Sequence, residues 1–287
     1  MVTALQDVES RIRALEAGAN DFLSKPVGKT DLRARVSSSL QVKAYNDHMR
    51  GYHKKLEAEV AKKTEELRHA YEKIKTSSLE IIYCLSRASE YKDEDTGAHV
   101  KRMSNYSAAI ARQLGLHKDI VETILYASAM HDAGKIGIPD NIIMKQGKLD
   151  SDEWEIIKQH TTIGGEILSG SDSEFIKLAK IIALTHHEKW DGSGYPNNLL
   201  GTAIPLEGRI TAIADAFDAL TSKRPYKEPF TIEESFRIIR EGRAIHFDSE
   251  VVDAFFSAER EILSIRETFK DQRPSLFALM RGTEFQV

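Results

Sequence analysis

Apolar residues recur every three or four positions through the second half of the chain, and this spacing predicts a succession of helices. Asp150, followed by Glu153 three residues later, has the spacing of a capping box that opens a helix. No alternating strand pattern of any length interrupts these stretches. The pattern therefore predicts an all-α domain over residues 79–270, followed by a C-terminal tail over residues 271–287.

Residues 46–78 are rich in charge and contain no proline. Apolar and small side chains recur there in alternating steps of four and three, the spacing that keeps one stripe of a helix facing a partner helix. We therefore expect a coiled-coil linker that forms a homodimer. Because Lys63 and Ser77 interrupt the stripe, a single solvated helix remains the alternative. The stripe consists of Leu56, Val60, Lys63, Leu67, Ala70, Ile74, Ser77 and Ile81.

Residues 1–45 follow a different order, which predicts strand, helix, strand and helix. Val2-Thr3-Ala4 is strand-like, a helical face follows, and the pair Phe22-Leu23 ends at Pro26 before a second helix from Asp31. This βαβα fragment has too few strands to close a sheet.

Composition and charge narrow the classes of function. Hydrophobic residues make up 41% and charged residues 29%, which is typical of a folded globular protein. A net charge of -4 offers no general attraction for a nucleic acid polymer or an anionic membrane, so a phosphate-bearing ligand needs a local site. We find neither a signal peptide nor an apolar run long enough for a membrane helix, and we expect a cytoplasmic protein. The single cysteine, Cys84, excludes a multi-thiolate zinc site, and its apolar neighbours predict a buried thiol.

Several histidines lie near the ends of apolar helical stretches, beside acidic residues. His131 precedes Asp132, and Asp215 lies among apolar residues, where an unpaired carboxylate is costly. Arg209 or Lys223 could pair with Asp215, but a metal ion would satisfy the whole set. Imidazole and carboxylate ligands suit divalent iron, manganese, nickel or zinc. The adjacent His131-Asp132 pair could serve two ions, and two-ion sites suit phosphoester hydrolysis. The histidines concerned are His99, His131, His160, His186 and His187.

Two motifs carry a family resemblance. His131-Asp132-Ala133-Gly134-Lys135 and the stretch from His186-His187-Glu188 to Gly194-Tyr195-Pro196 resemble the HD-GYP domain, the cyclic di-GMP phosphodiesterase branch of the HD metallohydrolases. The resemblance covers roughly residues 79–260. It implies an all-α HD-type helical bundle, which together with the long helical linker and the small α/β fragment of residues 1–45 gives a mainly α protein.

The resemblance also implies a set of metal ligands. One ion would be held by His99, His131, Asp132 and Asp215, and the second by Asp132, His160, His186 and His187, with Asp132 bridging. We expect iron or manganese, with nickel or zinc as alternatives. Some family members place Glu where this chain has Asp95 and bind a third metal there. The shorter Asp95 leaves that third site open.

Other positions are assigned to substrate and partners by the same resemblance. Lys135 would neutralise the substrate phosphate or assist the leaving oxygen, while a hydroxide shared by the ions attacks phosphorus. Arg224 and Lys227 resemble the phosphate-binding pair of the family, with a solvated basic turn as the alternative. The segment Gly194-Tyr195-Pro196 is linked in the family to contact with diguanylate cyclase domains, although Tyr195 could simply pack.

Two further segments can be compared with family patterns. Thr3, Phe22 and Lys25-Pro26 resemble the last third of a response-regulator receiver domain, whose phosphoacceptor aspartate is absent from this chain. We also expect a glycine before His246-Phe247-Asp248, where the chain has Arg243-Ala244-Ile245.

The expected activity is hydrolysis of cyclic di-GMP to linear pGpG, with GMP as a further product. A non-catalytic module that binds a nucleotide or a partner protein, and an HD hydrolase for another cyclic dinucleotide, remain the alternatives.

Overall fold

The chain divides into two compact units, Met1–Ile74 and Lys75–Val287. A computed structural model describes residues 2–3, 8–90, 97–145, 147–223 and 228–270 of the 287-residue chain. Each unit is described by itself.

The first unit contains strand β1 (Val2–Thr3), helix α1 (Val8–Glu16), strand β2 (Leu23–Ser24) and the first part of helix α2 (Lys29–Glu90). The two strands pair in parallel, with Val2 opposite Leu23. The predicted order of strand, helix, strand and helix is therefore found. Its assignment to a receiver domain stays a prediction.

Helix α2 is continuous over 62 residues. The predicted domain boundaries after residues 45 and 78 both fall within it, and they remain predictions. Pairs one turn apart support the helix, such as Lys63 with Glu66 at 2.8 Å and Arg68 with Glu65 at 2.7 Å. The apolar stripe is exposed, with Leu67 at 71% and Ile74 at 66% of full accessibility.

Cys84 is exposed, so the prediction of a buried thiol is wrong. The apolar run around it wraps two faces of α2. Ile82 and Tyr83 are partly buried, whereas Ile81 and Leu85 are exposed together with Cys84. Apolar neighbours alone therefore did not indicate the buried face.

The described part of the second unit consists of helices joined by loops. Residues 97–145, 147–223 and 228–270 contain no strand, only isolated bridges such as that between Asp191 and Leu200. The predicted all-α class is confirmed, and no described helix is both long and apolar enough to cross a membrane. The helices are α3 (Gly97–Gln113), α4 (Lys118–Ser128), α5 (Asp140–Ile143), α6 (Ser151–Lys158), α7 (His160–Ile167), α8 (Glu174–Thr185), α9 (Leu206–Thr221), α10 (Ile232–Glu241), α11 (Ser249–Ser257) and α12 (Glu259–Thr268), with 3₁₀ turns at Ala133–Gly137 and Gly201–Ala203.

The main core lies between α3, α4 and α9–α12. Phe217 of α9 is fully buried and meets Tyr106 and Phe255 edge-on, with ring centroids 5.5 and 5.1 Å apart. A smaller apolar cluster joins α4 to α8 through Ala127 and Ile182. The packing of α3 on α4 and α9, and of α8 on α4, α7 and α9, brings several helix ends close together.

Capping explains where α6 begins. The Asp150 carboxylate accepts a hydrogen bond from the Glu153 backbone N–H at 2.9 Å, and the Glu153 carboxylate accepts one from the Asp150 N–H at 2.9 Å. The capping box expected from the sequence is therefore present. It satisfies two backbone donors that a helix start leaves unpaired.

Ala244 adopts a left-handed backbone conformation, with φ of 61°, in the turn between α10 and α11. Its N–H donates to the Phe247 carbonyl at 2.9 Å, so the turn holds it in that conformation. Left-handed φ costs a residue with a Cβ about 1–2 kcal/mol relative to right-handed φ. This strain accounts for the glycine expected in this segment.

We predict that Ala244→Gly stabilises the protein by about 0.5–1 kcal/mol, because relief of the strain exceeds the entropy that glycine gains in the unfolded chain. The change should appear in guanidinium unfolding as a higher midpoint with an unchanged slope. Ala244→Val is the matched control, since a β-branched side chain at positive φ should lower stability. A lower midpoint for the glycine variant would contradict the explanation.

Candidate metal centre

Seven of the eight predicted metal ligands lie in the described part of the chain, and the fold brings them into two neighbouring groups. In each group the potential ligand atoms lie within 4.8 Å of one another. Asp95, the tentative eighth ligand, and the predicted substrate residues Arg224 and Lys227 fall outside the described residues. The first group is His99, His131 and Asp215, and the second is Asp132, His160, His186 and His187.

Close packing at Gly134, which has no side chain, allows the second group to assemble. Gly134 follows Asp132 in the 3₁₀ turn after α4 and packs against the start of α7. A Cβ at this position would lie 1.9 Å from the backbone oxygen of His160 and 2.4 Å from the backbone nitrogen of Gly164. Because glycine has none, α7 can approach closely enough for His160 to reach Asp132.

Asp132 directs its two carboxylate oxygens toward different groups. Oδ1 lies 3.3 Å from His160 Nε2 and 3.6 Å from His186 Nε2, whereas Oδ2 lies 3.1 Å from His131 Nε2. Lys135 Nζ also lies 2.9 Å from Oδ2, and its side chain is only 14% exposed. The Asp132 carboxylate therefore lies between the two groups, and Lys135 forms an ion pair with it.

Backbone carbonyls fix the orientation of three imidazoles. The Nδ1 of His131 donates to Ser128 O at 3.0 Å, that of His160 to Ile157 O at 2.6 Å, and that of His186 to Ile182 O at 3.0 Å. A carbonyl oxygen only accepts, so the proton of each neutral ring sits on Nδ1. Nε2 then carries the lone pair that can bind a metal.

The donor set fits a cation. His160 Nε2, His186 Nε2 and Asp132 Oδ1 are buried and make no hydrogen bond within the described residues. All three are acceptors, and the carboxylate oxygen lies 3.3 Å and 3.6 Å from the two nitrogens. Buried acceptors without donors are costly, and a divalent ion between them would satisfy all three.

The pKa values of the site favour metal-binding protonation states. Burial lowers the pKa of His160 to about 4 and holds the pKa of His187 well below its usual value. Burial alone would raise the pKa of Asp132, but attraction to His131 and Lys135 outweighs it and keeps that pKa well below the ordinary value. At neutral pH the His160 and His187 imidazoles are therefore neutral and the Asp132 carboxylate is charged.

Asp215 completes the first group from the middle of α9. Its Oδ1 lies 3.7 Å from His99 Nε2 and 4.0 Å from His131 Nε2. The side chain is 21% exposed, so it is less buried than its apolar neighbours suggested. Arg209, one of the partners considered for Asp215, instead bonds Asp248 at 2.5 Å.

Asp218 and Arg102 form a buried ion pair next to His99, which the sequence did not predict. Asp218 accepts from His99 Nδ1 at 2.8 Å and from Arg102 Nε at 2.6 Å. Burial alone would raise the pKa of Asp218. The hydrogen bonds from His99 and Arg102 outweigh burial and lower that pKa to about 2. Each partner lies three residues beyond a ligand, Arg102 after His99 and Asp218 after Asp215. This spacing was the available signal, because residues three apart share a helix face.

Glu188 secures the loop that carries the second motif. Its buried carboxylate accepts from the backbone N–H of Asn197 at 2.7 Å and of Leu199 at 2.9 Å. The loop then places the Tyr195 ring in a stack on His187, with centroids 4.8 Å apart. Tyr195 therefore packs on the ligand group, and its proposed contact with a cyclase domain stays a prediction.

Comparison with known protein families identifies the fold. The model of the HD domain matches residues 84–251, which include all seven of these ligand candidates. The chain belongs to the HD-domain family. The pairing of His131 with Asp132 at the centre of the site agrees with this membership.

Three relatives of this HD domain protein cover different parts of it. A cyclic di-GMP phosphodiesterase from Thermotoga maritima is 43% identical over 278 residues, 96% of this chain and 75% of the relative. A cyclic di-GMP phosphodiesterase response regulator from Xanthomonas campestris is 42% identical and is matched over 92% of this chain and 68% of its own length. A 3'3'-cGAMP-specific phosphodiesterase from Vibrio cholerae is 44% identical over 198 residues, 69% of this chain and 38% of the relative.

We predict that Asp218→Asn weakens metal binding by the first group about 10- to 100-fold, because His99 loses the charged acceptor that orients it. Metal binding by the second group should keep its affinity. Competition with a chelator and metal analysis of the purified variant measure both. The double variant Arg102→Met/Asp218→Asn is the control for folding, since it leaves no unpaired buried guanidinium. Equal affinity in the wild type and Asp218→Asn would show that Asp218 only stabilises the fold.

Proposed function

We propose that this chain is a metal-dependent phosphodiesterase that opens cyclic di-GMP to linear pGpG, with GMP as a further product. The observation that carries the proposal is the sharing of one buried carboxylate, Asp132, between two groups of potential ligands. Membership of the HD-domain family agrees with it. The complete ligand set disfavours the alternative of a module that only binds nucleotides or partner proteins.

The proposed cofactor is a pair of divalent ions, one held by each group and both contacting Asp132. We propose iron or manganese as the ions. Nickel and zinc also bind nitrogen and oxygen ligands of this kind and are the alternatives. When bound, two such ions supply water that ionises near neutral pH and a clamp for the phosphate oxygens. A third ion at Asp95 is an extension of the same proposal.

Lys135 is proposed to act on the substrate. Its ammonium lies 2.9 Å from Asp132 Oδ2 and is largely buried, so a phosphate that approached Asp132 would meet this positive charge. Lys135 can neutralise the phosphate or donate a proton to the leaving oxygen. Arg224 and Lys227 are proposed to bind phosphate as well, since arginine can bind it with two parallel hydrogen bonds.

Cyclic di-GMP is the proposed substrate because two relatives that match more than nine-tenths of the chain are named for it. The second candidate is 3'3'-cGAMP, because a relative named for that dinucleotide is 44% identical over the part it matches. The two substrates differ in one purine only. Both should therefore be assayed side by side.

The test of the proposed function is Asp132→Ala. Loss of the shared carboxylate should remove at least one metal ion per chain and lower cyclic di-GMP hydrolysis by roughly 10³-fold or more, since metal assistance is worth several kcal/mol. Elemental analysis of anaerobically purified protein and product chromatography measure these effects, and circular dichroism checks the fold. Asp172→Ala, at an exposed loop position, is the matched control. Wild-type metal content and rate in Asp132→Ala would refute the proposal.

We also propose that residues 1–45 are the C-terminal part of a receiver domain, 46–78 a linker, 79–270 the catalytic domain and 271–287 a tail. The Xanthomonas relative is named a response regulator, and the match to it spans 92% of this chain. Contact with a diguanylate cyclase domain through Gly194-Tyr195-Pro196 is part of the same proposal.

The linker is proposed to form a parallel homodimer, because its apolar stripe is exposed along α2. Leu67→Asp together with Ile74→Asp should convert a dimer to a monomer, since each change buries a charge at the interface. Light scattering at micromolar concentration measures the mass. Lys62→Asp together with His69→Asp, outside the stripe, is the control and should remain dimeric. A monomeric wild type would contradict the proposal.

A further inference from the structure

A cleft of about 570 Å³ lies next to the second ligand group. One wall comes from α6 and the start of α7, and the other comes from the loop that Glu188 secures. A volume of this size lies in the range of sites for small ligands. The side chains that matter here are Trp154, Glu155, Lys158 and Gln159 on the first wall, with Lys189, Tyr195 and Asn198 on the second.

Tyr195 separates the cleft from the ligand group and contacts both. On one side its ring stacks on His187 at 4.8 Å and lies 6.4 Å from His160. On the other side the Trp154 ring meets it edge-on at 6.3 Å, and Lys158 Nζ lies 5.8 Å from its centroid. Two ring contacts therefore connect the cleft to a ligand of the proposed metal centre.

The lining has the chemistry of a nucleotide site. Trp154 is 48% exposed, so its ring is accessible to a flat partner. Lys158 and Lys189 place positive charge on opposite walls, and Gln159 and Asn198 offer amide donors and acceptors. Glu155 is the one carboxylate among the cleft residues named above, and it accepts from Lys158 Nζ at 2.5 Å. A ligand with both an aromatic ring and a phosphate matches this combination.

We propose that this cleft binds a purine base of the substrate, stacked on Trp154. The inference rests on the proposed function, since it assigns a base-binding role for the same dinucleotide. Each phosphate of a cyclic dinucleotide has a nucleoside on both sides. When one phosphate lies at Asp132, a neighbouring base must lie close to the ligand group, and the cleft lies on the other side of a single ring, Tyr195, from that group.

Trp154→Ala tests the proposal. Removal of a stacking ring should lower kcat/KM for cyclic di-GMP by roughly 5- to 150-fold, mainly through KM, and Trp154→Phe should restore most of it. The metal content should be unchanged, and kcat should change less than KM. Unchanged constants for cyclic di-GMP, or a loss confined to kcat, would overturn the proposal.

Fluorescence separates this inference from the proposed function. Trp154 and Trp190 are the two tryptophans of the chain, so Trp190→Phe leaves Trp154 as the single indole reporter. GMP should quench its emission saturably, while ribose 5-phosphate should not. Quenching by GMP without cyclic di-GMP hydrolysis by the wild type would refute the proposed substrate and keep the cleft. Absence of quenching would refute the cleft.

Discussion

The second unit depends on one constraint, which is the need to neutralise acceptors that converge on Asp132 inside the protein. Its carboxylate lies within 3.1–3.6 Å of three histidine nitrogens. Lys135 supplies one positive charge at Oδ2, but Oδ1 and two Nε2 atoms lack hydrogen-bond donors among the described residues. Such a cluster is costly in a dry interior, so a bound cation would stabilise the packing of the helices that carry it.

The supports of the ligands divide into two kinds. His131, His160 and His186 each donate to a backbone carbonyl three or four residues earlier in the sequence. Each of these rings is therefore oriented by the end of the helix that precedes it. His99 is instead held by Asp218, a residue 119 positions away. The orientation of His99 therefore requires α3 and α9 to be packed, and the first group can form only after tertiary folding.

This division explains what the sequence could predict. Residue type and the local motif identified all seven described ligand candidates, and Asp150 with Glu153 identified the start of α6, because these signals lie within a few positions. Asp218 shares a helix face with Asp215, but its bond to His99 joins α9 to α3, which the spacing alone does not indicate. The role of Glu188 depends on the backbone positions of Asn197 and Leu199 in its own loop, which residue type does not indicate. Cys84 was misjudged for a related reason, since the buried face of α2 depends on the helices that pack against it.

The loop that carries Tyr195 is supported from two directions. Glu188 holds its far end through the backbone of Asn197 and Leu199. The near end is bonded to the turn between α10 and α11, where the N–H groups of Trp190 and Asp191 donate to the carbonyls of His246 and Ile245.

Ala244 lies in that same turn and supplies its positive φ, so the backbone strain there is linked to the acceptors that hold the loop. A glycine would give the same turn at lower cost. The alanine therefore weakens the turn whose carbonyls hold the near end of the Tyr195 loop, and relief of its strain would hold that loop more firmly.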